Sequence, residues 1–181
     1  MSASRNNRYL LSLASYQDGE HRFDFLAEHD FFRHFVYSPV KEGRVWVNLL
    51  LTRSQSNSTL DFSIKGSVNV PCDRCGENFD QEISGQNRLI IGPHGKNAAS
   101  DEDDDLIELP PGDSEIDLSQ HIYEFIMLLI PVRKVHPNDK KGIPACNRSA
   151  LKALAKLEKN ASAHTADPRW DELGLVSALR R

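Results

Sequence analysis

Cysteine is scarce in this sequence. There are three among 181 residues, too few for a disulfide framework in a chain of this size. Long hydrophobic runs are missing as well. The longest, Phe125 to Val132, falls far short of the roughly 20 apolar residues a membrane helix needs. A signal-peptide pattern is not visible. Arg5 and Arg8 precede Tyr9 to Ala14, but that stretch is too short and too polar for a signal core, and Asp18, Glu20 and His21 follow at once. These lacks predict a cytoplasmic protein with no membrane partner, in which thiols stay reduced. There is no nucleophile elbow, no phosphate-cradling glycine loop and no H-E-x-x-H pair. The acidic run near Asp101 to Asp105 lacks the interleaved spacing and distal Glu of a calcium loop. The expectation is therefore a non-enzymatic chain with no small-molecule substrate.

What is present is an ordinary globular composition, 39% hydrophobic and 27% charged, enough to bury a core and to exclude wholesale disorder. The formal net charge of -4 gives no global basic signature. Its distribution is uneven. Asp101 to Asp117 carries nine acidic residues and no Lys or Arg, whereas Arg133 to Arg181 carries eleven Lys or Arg against five acids. An acidic connector thus separates a neutral body from a basic tail that suits an anionic partner.

The N-terminal half reads as strands. Phe23 and Phe25 share one face of a segment from His21 to Ala27, Arg44 to Thr52 is rich in β-prone residues, and Leu60, Phe62 and Ile64 alternate with Asp61, Ser63 and Lys65. Gly66 suggests a bulge. Phe79 to Ile91 supplies a return strand. Residues 93–114 read as an acidic, mobile loop. A helix then opens at Asp117, with Gln120 placed to complete a capping box, and buries Leu118, Ile122, Phe125, Ile126 and Leu129 before Pro131 stops it. Ser149 is placed to cap a second helix to about Lys159, with Leu151, Leu154 and Leu157 inward and Lys152, Lys156 and Lys159 outward. Asp167-Pro168 starts a last short turn carrying Trp170, Leu173 and Leu175.

Two of the thiols form Cys72-Asp-Arg-Cys75, at the tip of the hairpin these strands predict. C-x-x-C sets two soft donors on one side of a tight turn. His136 and Cys146 follow in a polar loop after the first helix, and the four together are the donor types of a closed, structural zinc site, in a zinc-knuckle arrangement. A closed site leaves no position for water or substrate. His94 is the main rival ligand, and His21, His29, His34, His121 and His164 also compete. The thiols could instead be ordinary reduced cysteines, or Cys72 and Cys75 a redox pair, although a thioredoxin-like pair needs a strand-to-helix context.

Cys72-Asp-Arg-Cys75-Gly-Glu-Asn-Phe79 resembles the C-x-R-C-x-x-x-F segment of the YceD-like large ribosomal RNA subunit accumulation proteins. Glu115-Ile-Asp-Leu118 with Leu128-Leu-Ile-Pro131, then His136 with Cys146, then Asp167-Pro-Arg-Trp170 with Leu173 resemble further family segments, in the same order. The resemblance covers roughly Val68 to Arg181. Many members carry a second C-x-x-C-G after the helix, where this chain has His136 and a single Cys146. The resemblance implies a bacterial ribosome-biogenesis factor that supports accumulation or processing of large-subunit ribosomal RNA, bound to precursor RNA or to a ribosomal protein. Arg74, Arg133, Lys134, Lys140 and Lys141 are the residues placed to contact phosphates. The alternative is a zinc-stabilised protein-interaction module without RNA contact.

The expected fold is α+β: a small antiparallel sheet or barrel (1–92, including the knuckle), the acidic loop (93–114), and a packed amphipathic helix with a helical, basic C-terminal arm that completes the same domain (115–181).

Overall fold

Apolar–polar alternation between residues 43 and 93 builds the main strands of the protein in a computed structural model that describes residues 7–54, 58–93, 105–109, 115–138, 142 and 145–161. In chain order the elements are β1 (Leu10–Ser12), β2 (Gly19–Ala27), α1 (His29–Arg33), β3 (Gly43–Arg53), β4 (Ser58–Pro71), β5 (Asn78–Pro93), β6 (Asp105–Leu109), β7 (Glu115–Asp117), α2 (Ser119–Leu129) and α3 (Arg148–Ala161). The chain divides into two compact units, one of Met1–Pro71 with Asn78–Lys134, the other of Cys72–Glu77 with Val135–Arg181.

In the first unit β2, β3, β4 and β5 form an antiparallel meander, and β6 joins β5 in parallel. A separate two-stranded sheet pairs β1 with β7. The α+β class with antiparallel strands is therefore correct. The barrel alternative is not: among the described residues the large sheet stays open, because β6 extends the β5 edge instead of curling round to meet β2. Residues 105–109, expected in a loop, are that strand. The acidic residues 101–104 lie outside the described residues.

One sheet face is dry. Val45, Val47, Leu49 and Leu51 of β3 and Leu60, Phe62 and Ile64 of β4 are all buried, while Ser63 and Lys65 stand exposed on the opposite face. Each such burial stabilises by about 1.5–3 kcal/mol. Helix α2 seals this face with Ile122, Phe125 and Ile126. The Phe125 ring meets Phe62 edge-on at 5.2 Å. Leu129 lies over Gly85 of β5, close enough to fill the space a Cβ there would need. The helix stops at Leu129 and Ile130 turns extended before Pro131, as expected.

Four local expectations are corrected. Gly66 makes no bulge: it pairs in unbroken register with Val45 on one side and Ile83 on the other. A Cβ there would run into the backbone of Arg44 and come within 2.6 Å of the Val45 Cα, so the position requires glycine for close approach. Asp117 does accept from the Ser119 N–H at 2.9 Å, but Gln120 donates to Glu124 at 2.6 Å and completes no capping box. In the second unit, Ser149 is inside α3. The cap is Asn147, whose Oδ1 accepts from the N–H groups of Ser149 (2.8 Å) and Ala150 (3.3 Å). On that helix Leu151 is half-buried, but Leu154 and Leu157, expected inward, are 39% and 64% exposed.

Candidate metal centre

The second unit gathers the hairpin tip, the segment after α2 and helix α3. Antiparallel pairing of β4 with β5 runs to Pro71 opposite Asn78, which leaves Cys72–Glu77 as the connecting turn. Two backbone bonds tighten it: the Cys72 N–H donates to the Glu77 carbonyl and the Gly76 N–H to the Cys72 carbonyl, both at 2.9 Å. Gly76 has φ +76°, a left-handed conformation that glycine adopts without strain. Downstream, the Ala145 N–H donates to the Pro137 carbonyl at 3.3 Å, so the loop closes on itself and Cys146 returns near His136.

The four expected ligands meet. Cys72 Sγ and Cys146 Sγ lie 3.9 Å apart, and Cys75 Sγ lies 3.5 Å from His136 Nδ1. All four donor atoms lie within 4.8 Å of one another. In a tetrahedral zinc site, sulfur at about 2.3 Å and nitrogen at about 2.0–2.1 Å from the ion put neighbouring donors about 3.6–3.8 Å apart. These two separations, 3.9 and 3.5 Å, lie close to those edges. Soft thiolates with one imidazole are also the donor chemistry such a site uses. Cys72, Cys75, His136 and Cys146 could therefore hold a metal ion, and among the described residues no other group of His, Cys, Asp and Glu is gathered in this way.

Burial and hydrogen bonding shift the two buried thiols in opposite directions. Cys72 and Cys146 are buried, while Cys75 and His136 are half-buried. Burial pushes the Cys72 thiol up, but the backbone N–H groups of Arg74, His136 and Cys75, with the His136 side chain, outweigh it and bring the pKa from 9.0 down to about 6. Cys146 moves the other way: burial raises it, and hydrogen bonding and negative charge from Cys72 and Cys75 raise it further. A cation placed among the sulfurs would favour the thiolate at each.

The three cysteines are free thiols. The C-x-x-C pair joins two strands, not a strand to a helix, which is the wrong context for a thioredoxin-like motif. Of the rival ligands, His94 and His164 lie outside the described residues. His21 meets the Gln17 carbonyl and His29 the Lys41 carbonyl.

The expected phosphate contacts are dispersed along the sequence. Arg74 is half-buried in the Cys72–Glu77 turn itself. Arg133 is exposed and Lys134 half-buried in the segment that ends the first unit. Lys140, Lys141 and the Asp167-to-Trp170 motif lie outside the described residues. One pair escaped the sequence reading: Asn147 Nδ2 donates to Glu77 Oε1 at 2.5 Å, which joins the α3 cap to the Cys72–Glu77 turn. An Asn directly after a candidate ligand Cys and two residues before Ser149 was the available signal.

Residues 60–176, well over half of the chain, match the family model described as "Large ribosomal RNA subunit accumulation protein YceD". The match spans the Cys72–Glu77 turn, α2, His136, Cys146 and α3. No curated protein and no solved structure matches.

Proposed function

The chain belongs to the YceD family of large ribosomal RNA subunit accumulation proteins, and from that premise we propose that it is a cytoplasmic, bacterial, non-enzymatic ribosome-biogenesis factor that binds large-subunit precursor RNA. Zinc is its structural metal in this reading, held by Cys72, Cys75, His136 and Cys146. The observation that carries the reading is the convergence of those four donors inside the segment that matches the family. Four protein donors fill a tetrahedral ion, so the metal supplies folding energy to a small unit and needs no substrate position.

Basic side chains close to the donors in sequence supply the RNA contacts: Arg74 between the paired cysteines, Arg133 and Lys134 just before His136, and Lys140 and Lys141 in the loop before Cys146. Such contacts act on phosphates, so binding is salt-dependent and tolerant of sequence. The test is elemental analysis of protein purified without chelator, together with precursor-RNA binding across a salt series. One zinc per chain and affinity that falls steeply with salt support the reading. A metal content near zero, or indifference to RNA at low salt, overturns the corresponding half.

A second reading is favoured by one observation in the first unit. Val36, Tyr37, Leu128 and Val132 are exposed apolar side chains, Tyr37 almost fully so, and a groove lined by Val40, Val70, Tyr123, Met127 and Ile130 is present there too. Apolar surface of this kind suits a protein partner. In that reading the chain engages a ribosomal protein and makes no RNA contact.

A further inference from the structure

Helix α3 carries four cations on one side. Arg148, Lys152, Lys156 and Lys159 are spaced by four, four and three residues. At 3.6 residues per turn they fall within an arc of about 80°, in a row about 16 Å long. All four are exposed. Only Lys159, in the last turn, suits the helix dipole; the rest of the stripe is not favoured by the helix that bears it. Its neighbours along the row are like charges, which repel at this spacing. Arg148 sits at the first helical position, where the helix dipole disfavours a cation, and the first turn contains no acid to offset it. Glu158 projects from another side of the helix. Leu154 and Leu157 lie roughly opposite the stripe.

We infer that this stripe is a phosphate-tracking surface, and that its ligand is the backbone of an RNA strand laid along α3. The inference rests on the RNA-binding reading above and gives it a location that neither the family description nor the metal centre assigns. A straight row of cations with a repeat of about 6 Å matches a polyanion whose charges are also in a row. The stripe holds only Arg and Lys, with no aromatic side chain to stack on a base, so it positions RNA without reading sequence. An anionic membrane is the other polyanionic surface such a helix meets. It is disfavoured because the opposite face consists of leucines and alanines with no aromatic anchor. The direction of the helix is fixed where it starts: Cys146 is a candidate metal ligand, and the next residue, Asn147, both caps α3 and holds Glu77 of the knuckle turn.

The test uses the full chain and a labelled single-stranded RNA of mixed sequence, with affinity measured between about 50 and about 200 mM salt. Replacing all four cations (R148Q, K152Q, K156Q, K159Q) keeps helix propensity nearly constant, since Gln and Lys are close on that scale. Each phosphate contact with a single strand contributes about 0.7 to the slope of log affinity against log salt, so the slope is expected to flatten by about 3 and affinity near 0.1 M salt to fall about a hundredfold or more. The single variant K152Q, which places less demand on folding, is expected to flatten the slope by about 0.7. L154Q with L157Q, on the opposite face, leaves the slope unchanged. Wild-type binding with an undiminished slope in the fourfold variant overturns the stripe and leaves the RNA-binding reading standing. No binding by wild type even at the lowest salt overturns that reading and the stripe with it. Binding to phosphatidylserine vesicles in place of RNA, abolished in the fourfold variant, assigns the stripe to a membrane and overturns the inference.

Discussion

Cys72 and Cys146 stand 74 positions apart in sequence, yet their sulfur atoms are 3.9 Å from each other. That separation is too long for a strong hydrogen bond and close to the edge of a metal–thiolate tetrahedron. The pair therefore gives the most direct mutational test of the metal centre. Cys72→Ser or Cys146→Ser removes one of two buried donors and leaves three. Metal affinity is expected to fall by more than about 100-fold, beyond the effect of disturbing an outer-sphere partner. Elemental analysis after dialysis against a weak chelator checks this. Full metal retention in both variants would sink the four-donor assignment.

Chelation of the wild-type protein provides a second measurement. The hairpin-tip turn, residues 135–138 and α3 belong to one unit, so a strong chelator is expected to speed amide exchange at Leu151 and at the Gly76 N–H. The β4–β5 amides around Phe62 should keep their protection, since they rest on a separate hydrophobic core. Hydrogen exchange by mass spectrometry resolves the two regions. Uniform loss of protection across the chain would contradict a local role for the metal.

The thiol pKa values set a pH dependence for the metal-free protein. Cys72 is held at about 6 in the fold against 9.0 ordinarily. Between those values the unfolded chain carries a proton that the folded chain does not, so stability rises with pH across this window and is lost as pH falls through about 6. Cys146, with its pKa raised, contributes in the opposite sense above about pH 9. Thermal melts of metal-free wild type against metal-free Cys72→Ser isolate the effect: the wild-type advantage should grow from pH 6 towards 9. Parallel curves would refute it.

Two glycines separate rigid from yielding neighbours. Gly66→Ala drives a Cβ into the backbone of Arg44 and Val45, which cannot move without breaking the sheet. A loss of about 2–4 kcal/mol is expected. Gly85→Ala meets the Leu129 side chain, its Cγ and both methyl groups, which can change rotamer, and alanine recovers some backbone entropy. That variant should lose less than about 1.5 kcal/mol. Denaturant unfolding ranks the two, and equal losses would contradict the contact geometry.

At the start of α3 the structure and the sequence disagree about the cap, and two alanine variants decide between them. Asn147→Ala removes two helix N–H acceptor contacts and the bond to Glu77, so it should cost about 1–2 kcal/mol. Ser149→Ala should be close to neutral, since Ser149 is helical and donates only to Asn147 Oδ1. The reverse order in helix protection would restore Ser149 as the cap.

Strand content was legible where alternation was long. Leu60 to Ile64 and Val45 to Leu51 carry period-two patterns that survive any reasonable choice of ends, and C-x-x-C between two such runs located the tip. The candidate ligands were legible by element: few side chains bind soft metals, and only three thiols exist. Strand β6 was hidden because five residues in an acid-rich stretch carry little periodic signal, and because it joins β5 in parallel no hairpin turn marks the pairing. The exposure of Leu154 and Leu157 was hidden because periodicity reports that a helix has an apolar face, not that anything covers it. Asn147 was missed because Ser149 is an equally good cap by type, and only the path of the chain out of Cys146 distinguishes them.

Gly66 has one more effect. It is the notch in β4: directly opposite Val45, a gap exists that admits a hydrogen atom and nothing larger. Sliding β4 by one position would carry Ser67 or Lys65 into that gap and turn Leu60, Phe62 and Ile64 towards water. The missing side chain thus indexes the strand, and through it fixes where along the hairpin the paired cysteines emerge.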